Sequence, residues 1–191
     1  MQLTDEAERA ALETLLLPFR SGALAWPERA AFLRARLGPA LTDMPKTQLK
    51  CEQSFKPDAD ALRRGGYEVS ANLGSSLSRV PLVMVLPPRQ REESRALLAR
   101  AVQLAGSDGY VVAAAANTSG ARSQESDLQR LCGRVDSLSK NKSRVFWAAT
   151  GTIDSALVEE WLKLDAPRRI LDGQYMSRPG LFAWDRVDPA S

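Results

Sequence analysis

The sequence predicts a three-layer α/β fold on a mostly parallel sheet that ends in an antiparallel hairpin. Three observations carry this. The apolar runs Val80–Leu86 and Tyr110–Ala116 show no alternation, as strands buried on both faces do. Between them lies an amphipathic stretch, Arg91–Ala105, which reads as a right-handed crossover helix. Strand-like and helix-like segments then alternate over most of the chain, the pattern of layered α/β domains. Both apolar runs end in polar loops on the same sheet edge, Pro87-Pro88-Arg89 and Asn117 to Ser123. Open α/β sheets bind ligands at that carboxyl edge.

In chain order, Thr4 is read as the cap of a helix over Asp5–Leu17, with Asp5 and Glu6 facing the helix dipole and Pro18 as its stop. Ala30–Ala35 is a short strand. The turn after it, Arg36-Leu37-Gly38-Pro39, stands where a phosphate-binding loop would sit. It holds one glycine and a proline that removes an amide donor, where such loops need several glycines. Gln48–Phe55 is the next strand, Pro57–Arg64 a helix closed by Gly65-Gly66, and Tyr67–Leu73 the third strand. Gly74-Ser75-Ser76 reads as a mobile loop. Past the central unit, Ser123–Leu131 is a helix capped by Ser123. Gly133–Asp136 and Ser143–Thr150 are strands joined by a polar turn over Leu138–Lys142. Residues 1–154 thus form the α/β domain. Residues 155–191 are read as a helix, Ser155–Leu164, and a Gly- and Pro-containing hairpin, arm or linker.

Composition excludes several functions. A chain of 191 residues with 44% hydrophobic content can bury a sizeable core, and none of its apolar runs nears the roughly 20 residues that cross a bilayer. There is no histidine, and the two cysteines, Cys51 and Cys132, lie far apart. That argues against a zinc site, a disulfide scaffold and a histidine-based triad, and for buried thiols in the cytoplasm. The net charge of +3 permits an acidic partner such as RNA.

One set of segments has a familiar order: Leu86-Pro87-Pro88-Arg89, a helix, Val111–Ala116, then Asn117-Thr118-Ser119-Gly120-Ala121-Arg122-Ser123. With the basic stretch Ser139–Arg144 and the tail Pro179-Gly180-Leu181-Phe182, it resembles the N-terminal domain of the bacterial small-subunit ribosomal RNA guanine-N2 methyltransferases of the C type. The likeness spans about Ala30–Ser191, and its most specific element is Asn-x-x-Gly-x-Arg-Ser. In that family two Rossmann-like domains of the class I methyltransferase type lie in tandem. The C-terminal copy carries the S-adenosylmethionine loop and an Asn-Pro-Pro-aromatic motif; the N-terminal copy is degenerate and serves substrate binding and support. Here Leu86 stands for the Asn and Arg89 for the ring, so the resemblance implies the degenerate copy. It implies no catalytic, cofactor-binding or metal-binding residue in this chain, with S-adenosylmethionine belonging to a missing catalytic domain downstream. The implied partners are ribosomal RNA or the small ribosomal subunit, and that C-terminal domain.

Candidate site residues follow from charge. Lys140, Lys142 and Arg144 gather around the expected hairpin turn, with Phe146 and Trp147 nearby, as on an RNA-binding surface. In a strand, at least one of the two aromatic rings must face the core. Arg89, Arg91, Arg95 and Arg122 border the carboxyl edge and suit phosphates. The plainer reading is a solvated helix start, with Glu92 and Glu93 pairing Arg95 and Arg100. Asn117 and Gly120 read as structural, Asn117 closing the turn by its side chain and Gly120 allowing a positive φ. Asp58, Asp60, Asp127 and Asp136 read as caps and turns. Alternatives to an RNA-contacting, non-catalytic domain are a stand-alone methyltransferase or nucleotide-binding enzyme, and a protein-interaction module.

Overall fold

The computed structural model describes residues 2–42, 44–74, 78–166, 168–170 and 175–177. In chain order these form α1 (Gln2–Leu15), α2 (Leu17–Arg20), β1 (Ala30–Leu33), α3 (Pro39–Thr42), β2 (Leu49–Glu52), α4 (Lys56–Arg64), β3 (Glu68–Ser70) and β4 (Leu82–Val85). There follow α5 (Arg91–Ala105), β5 (Tyr110–Ala116), α6 (Ala121–Cys132), β6 (Asp136–Lys140), β7 (Ser143–Ala149), α7 (Ser155–Leu162), β8 (Arg168–Ile170) and β9 (Tyr175–Ser177). The main sheet runs β3-β2-β1-β4-β5-β7-β6. Strands β1 to β5 pair in parallel, and β7 runs antiparallel between β5 and β6. The α/β class, the mostly parallel sheet and the late antiparallel hairpin are as the sequence predicts.

Alternation along the central strands feeds two cores. Ala31, Leu33, Val83, Val85, Val111, Ala113, Phe146 and Ala148 pack with α5, α6 and α7. Ala30, Phe32, Leu82, Met84, Val112, Ala114, Val145 and Trp147 pack against α1, α3 and α4. Phe146 and Trp147 are thus both core residues, on opposite faces of the sheet. Helix α7 belongs to the first layer, with Trp161 only 1% exposed among the guanidiniums of Arg95 (4.8 Å) and Arg130 (5.1 Å).

Several sequence expectations need correction. Helix α1 already runs through Thr4, so Thr4 is not its cap, and Pro18 lies in the first turn of α2, a position where its missing N–H is harmless. Strand β6 is Asp136–Lys140 and not 133–136. The hairpin turn shrinks to Asn141-Lys142, both with positive φ (52° and 56°), the geometry of a tight two-residue turn. Helix α6 starts at Ala121 behind Gly120, which leaves Ser123 inside its first turn. Strands β2 and β3 are shorter than their apolar patterns. The segment after Pro167 contains an antiparallel pair, β8 with β9. Ser75, Ser76 and Pro179-Gly180-Leu181-Phe182 lie outside the described residues.

Burial also fixes the chemistry of both cysteines. Desolvation pushes the Cys51 thiol up to about 12 and the Cys132 thiol to about 11. An unfolded thiol ionises near 9, so this contribution to stability is complete below pH 9 and falls as pH rises toward the folded values. At one pH unit above the unfolded value the loss is about 1 kcal/mol per thiol. Urea titrations at neutral pH and near pH 10 should show this loss, and a Cys51→Ala, Cys132→Ala double variant should be flatter over the same interval.

Candidate functional site

The carboxyl ends of β1, β4 and β5 meet over a cleft of about 290 Å³. Its floor is Ala114, Ala115 and Ala116, one wall is Leu86-Pro87-Pro88, and α1 contributes Ala7, Glu8 and Ala11. Arg34, Arg36, Arg89, Thr118 and Ser119 supply the polar lining. Arg34 follows β1 directly and has φ 51°, a left-handed conformation that non-glycine residues seldom adopt. The sequence reading missed Arg34 by placing it within the strand. The available signal was the Arg-Ala-Arg alternation that follows an apolar run.

The backbone of the turn after β1 is tied into the protein. The Ala35 N–H donates to the Glu52 carbonyl (2.9 Å), and Gln53 Nε2 donates to the Ala35 carbonyl (2.8 Å). A Cβ on Gly38 would lie 2.6 Å from Leu12 Cδ2, so α1 packs directly onto this turn and a larger residue would push the Leu12 side chain aside. Arg36 reaches Glu8 of α1 at 2.7 Å and Asp58 of α4 at 3.4 Å. Glu52, at the end of β2, is buried; it accepts from the Leu73 N–H (2.8 Å) and pairs with Arg100 of α5.

At β4 the Leu86 carbonyl accepts from Arg34 Nη1 (3.2 Å), and the Pro88 carbonyl accepts from Gln124 Nε2 of α6 (2.9 Å). At β5 the turn is closed by backbone. Gly120, at φ 89°, donates its N–H to the Asn117 carbonyl (3.4 Å), and the Asn117 N–H donates to the Lys142 carbonyl (2.9 Å). The Asn117 side chain is exposed, so the expected side-chain closure gives way to main-chain bonds. These bonds also bring the hairpin tip, the β5–α6 turn and the Pro-Pro loop together along one edge.

The predicted cations divide into two sets. Arg89, Arg91, Arg122, Lys140 and Lys142 are exposed on or next to that edge. Arg91 has only a long approach to Asp127, 3.9 Å. Arg95 instead clasps Asp127 through Nε (3.1 Å) and Nη2 (3.0 Å), and Arg144 holds Glu125 at 2.9 Å. Arg95 and Arg100, expected to pair with Glu92 and Glu93, meet Asp127 and Glu52. Asp127 is neither cap nor turn: it is 2% exposed in the middle of α6. Glu8 is the sole acid lining the cleft among the described residues. Among the described residues no group of three or more Cys, Asp or Glu is placed to hold a metal ion, and no helix is long and apolar enough to cross a membrane.

The chain matches no protein-family model and no curated protein by sequence. Solved structures do match it. The 16S rRNA N2 G1207 methyltransferase of T. thermophilus, in complex with AdoMet and guanosine, superposes with a TM-score of 0.72 at 17% identity, over 94% of this chain and 49% of that one. The ribosomal protein L11 methylase of Lactobacillus delbrueckii subsp. bulgaricus gives 0.55 at 11% identity, covering 70% of this chain and 75% of that one. The N-methyltransferase NodS of Bradyrhizobium japonicum gives 0.52 at 12%, covering 70% and 89%. The fold is that of a class I methyltransferase. The chain spans about half the length of the T. thermophilus enzyme.

The Asp127–Arg95 pair joins α5 to α6 and holds Arg95 against Trp161 of α7. Removing one member of such a pair leaves a poorly solvated charge, which costs about 3 kcal/mol or more. Asp127→Ala should therefore lower unfolding stability by about that amount in urea titrations, whereas Arg91→Ala, at the exposed end of the cluster, should change it little.

Proposed function

We propose that this chain is a non-catalytic domain of an S-adenosylmethionine-dependent ribosomal RNA guanine-N2 methyltransferase. In this reading it contacts RNA and supports a separate catalytic domain of the same protein. The observation that carries it is a carboxyl edge whose turn after β1 is bonded into the sheet and whose outer face carries exposed cations. S-adenosylmethionine does not fit the residues present. A cofactor loop must offer free backbone amides and room for close approach. Here Ala35 has both backbone groups bonded within the protein, Gly38 lies under Leu12, and Pro39 has no N–H. The acid at the end of β2, where related sheets hold ribose hydroxyls, is taken by Leu73 and Arg100. Among the described residues three guanidiniums line the cleft against one carboxylate, a poor setting for a cationic sulfonium.

Support for RNA contact comes from the edge itself. Arg89, Arg91, Arg122, Lys140 and Lys142 are solvent-facing, and phosphate contacts by such residues position nucleic acid without reading its sequence. Arg95 and Arg144 serve the fold first, through Asp127 and Glu125. The reduced, buried thiols of Cys51 and Cys132 suit a cytoplasmic location.

Two measurements test the reading. Calorimetry of the chain with S-adenosylmethionine should show no binding heat, and stoichiometric micromolar binding would overturn the cofactor argument. Filter binding of ribosomal RNA fragments should weaken alike across sequences for Lys140→Gln with Lys142→Gln, and the salt slope should flatten by about two units. An unchanged slope would remove the hairpin tip from the interface.

A further inference from the structure

We propose that the cleft between β1, β4 and β5 is a receiving pocket for the phosphate of a nucleotide, clamped between Arg34 and Arg89. This deepens the reading above, but it needs neither the hairpin lysines nor a catalytic domain. Arg34 is the first observation. A non-glycine residue at φ 51° is held in an uncommon conformation, and such residues persist where surrounding structure imposes them, often at ligand sites. That conformation carries the guanidinium over the cleft, where one N–H donates to the Leu86 carbonyl (3.2 Å). A guanidinium has five N–H donors, so most of its fork is left for a ligand.

Charge balance is the second observation. Of the cleft's three guanidiniums, only Arg36 is matched by carboxylates, Glu8 and more distantly Asp58. Neither Arg34 nor Arg89 has an acidic partner within ion-pair distance among the described residues, and Arg89 is exposed at the end of the Leu86-Pro87-Pro88 wall. Two uncompensated guanidiniums with the hydroxyls of Thr118 and Ser119 form a donor set for a tetrahedral anion with several oxygens. Size and walls complete the case. About 290 Å³ is at the lower end for small-molecule sites and suits one nucleotide. The Ala114–Ala116 floor and the Pro87 wall offer an apolar surface for a flat base.

The test titrates the whole chain with adenosine monophosphate, with adenosine, and with a short single-stranded RNA, by calorimetry and by amide shifts. The monophosphate or the RNA should bind, with adenosine weaker by about tenfold or more, as loss of charge-assisted bonds predicts. Binding of the monophosphate as tight as that of the RNA marks a free nucleotide as the ligand, whereas binding of the RNA alone marks an RNA nucleotide. The diagnostic variant is Arg34→Gly. Glycine accepts a φ of 51° without strain, so this variant should melt no lower than the parent while losing affinity about tenfold. Arg89→Ala, an exposed site, should also weaken binding with an unchanged melting temperature. The proposal is overturned if neither phosphate ligand binds, if adenosine binds as well as its monophosphate, or if folded Arg34→Gly keeps full affinity. Loss of RNA binding on changing Lys140 and Lys142, with the cleft titration intact, would separate the hairpin surface from this pocket.

Discussion

Glu52 sits at the carboxyl end of β2 with almost no solvent, and a buried carboxylate needs donors that the protein itself supplies. It finds them in the Leu73 N–H and in Arg100 of α5, which binds the segment after β3 and the helix after β4 to a single point. The next links depend on that anchor. The Glu52 carbonyl takes the Ala35 N–H, and Gln53 closes the Ala35 carbonyl, so the turn after β1 is an extension of the sheet in place of an open loop. Helix α1 then lies on this turn, with Leu12 against Gly38 and Glu8 on Arg36. In this methyltransferase-like fold the turn after β1 is packed beneath α1.

The same edge shows how arginine serves two purposes. Arg36, Arg95, Arg100 and Arg144 each meet a carboxylate on another element, and these pairs join α1, α4, α5, α6, β2 and β7. Their worth lies in the penalty for losing one partner more than in the pair itself. Arg89, Arg91, Arg122, Lys140 and Lys142 remain turned to solvent. Lys142 joins the others because its carbonyl holds the Asn117 N–H, which sets the hairpin tip beside the β5–α6 turn. Exposed cations from three separate loops thus lie along one sheet edge.

Much of the fold was legible because its central strands are apolar on both faces and its central helix has clean ends. Arg91–Ala105 agrees with its expected bounds to the residue, helped by the Gln90 side chain that accepts from the Glu93 N–H. Strand β6 was misplaced because its residues, Asp136 to Lys140, are edge residues with almost no apolar signal, and Asn141-Lys142 forms a two-residue turn without glycine. The site was legible only in part. Charge pointed to Arg89, Arg91, Arg122, Lys140 and Lys142, but sequence spacing cannot reveal that Arg95 and Arg144 are claimed by Asp127 and Glu125 on another element. Glu52, Gln53, Gln124 and Arg34 went unseen because each acts through a partner 18 to 52 positions away.

The carboxyl edge keeps its shape only while the turn after β1 is fastened to the sheet. Amide hydrogen exchange reads this directly. The Ala35 and Leu73 amides should exchange as slowly as those of β1 and β4, and saturating S-adenosylmethionine should leave both rates unchanged. Exchange at loop-like rates, or protection that appears only with S-adenosylmethionine, would contradict the closed edge from which the functional reading is drawn.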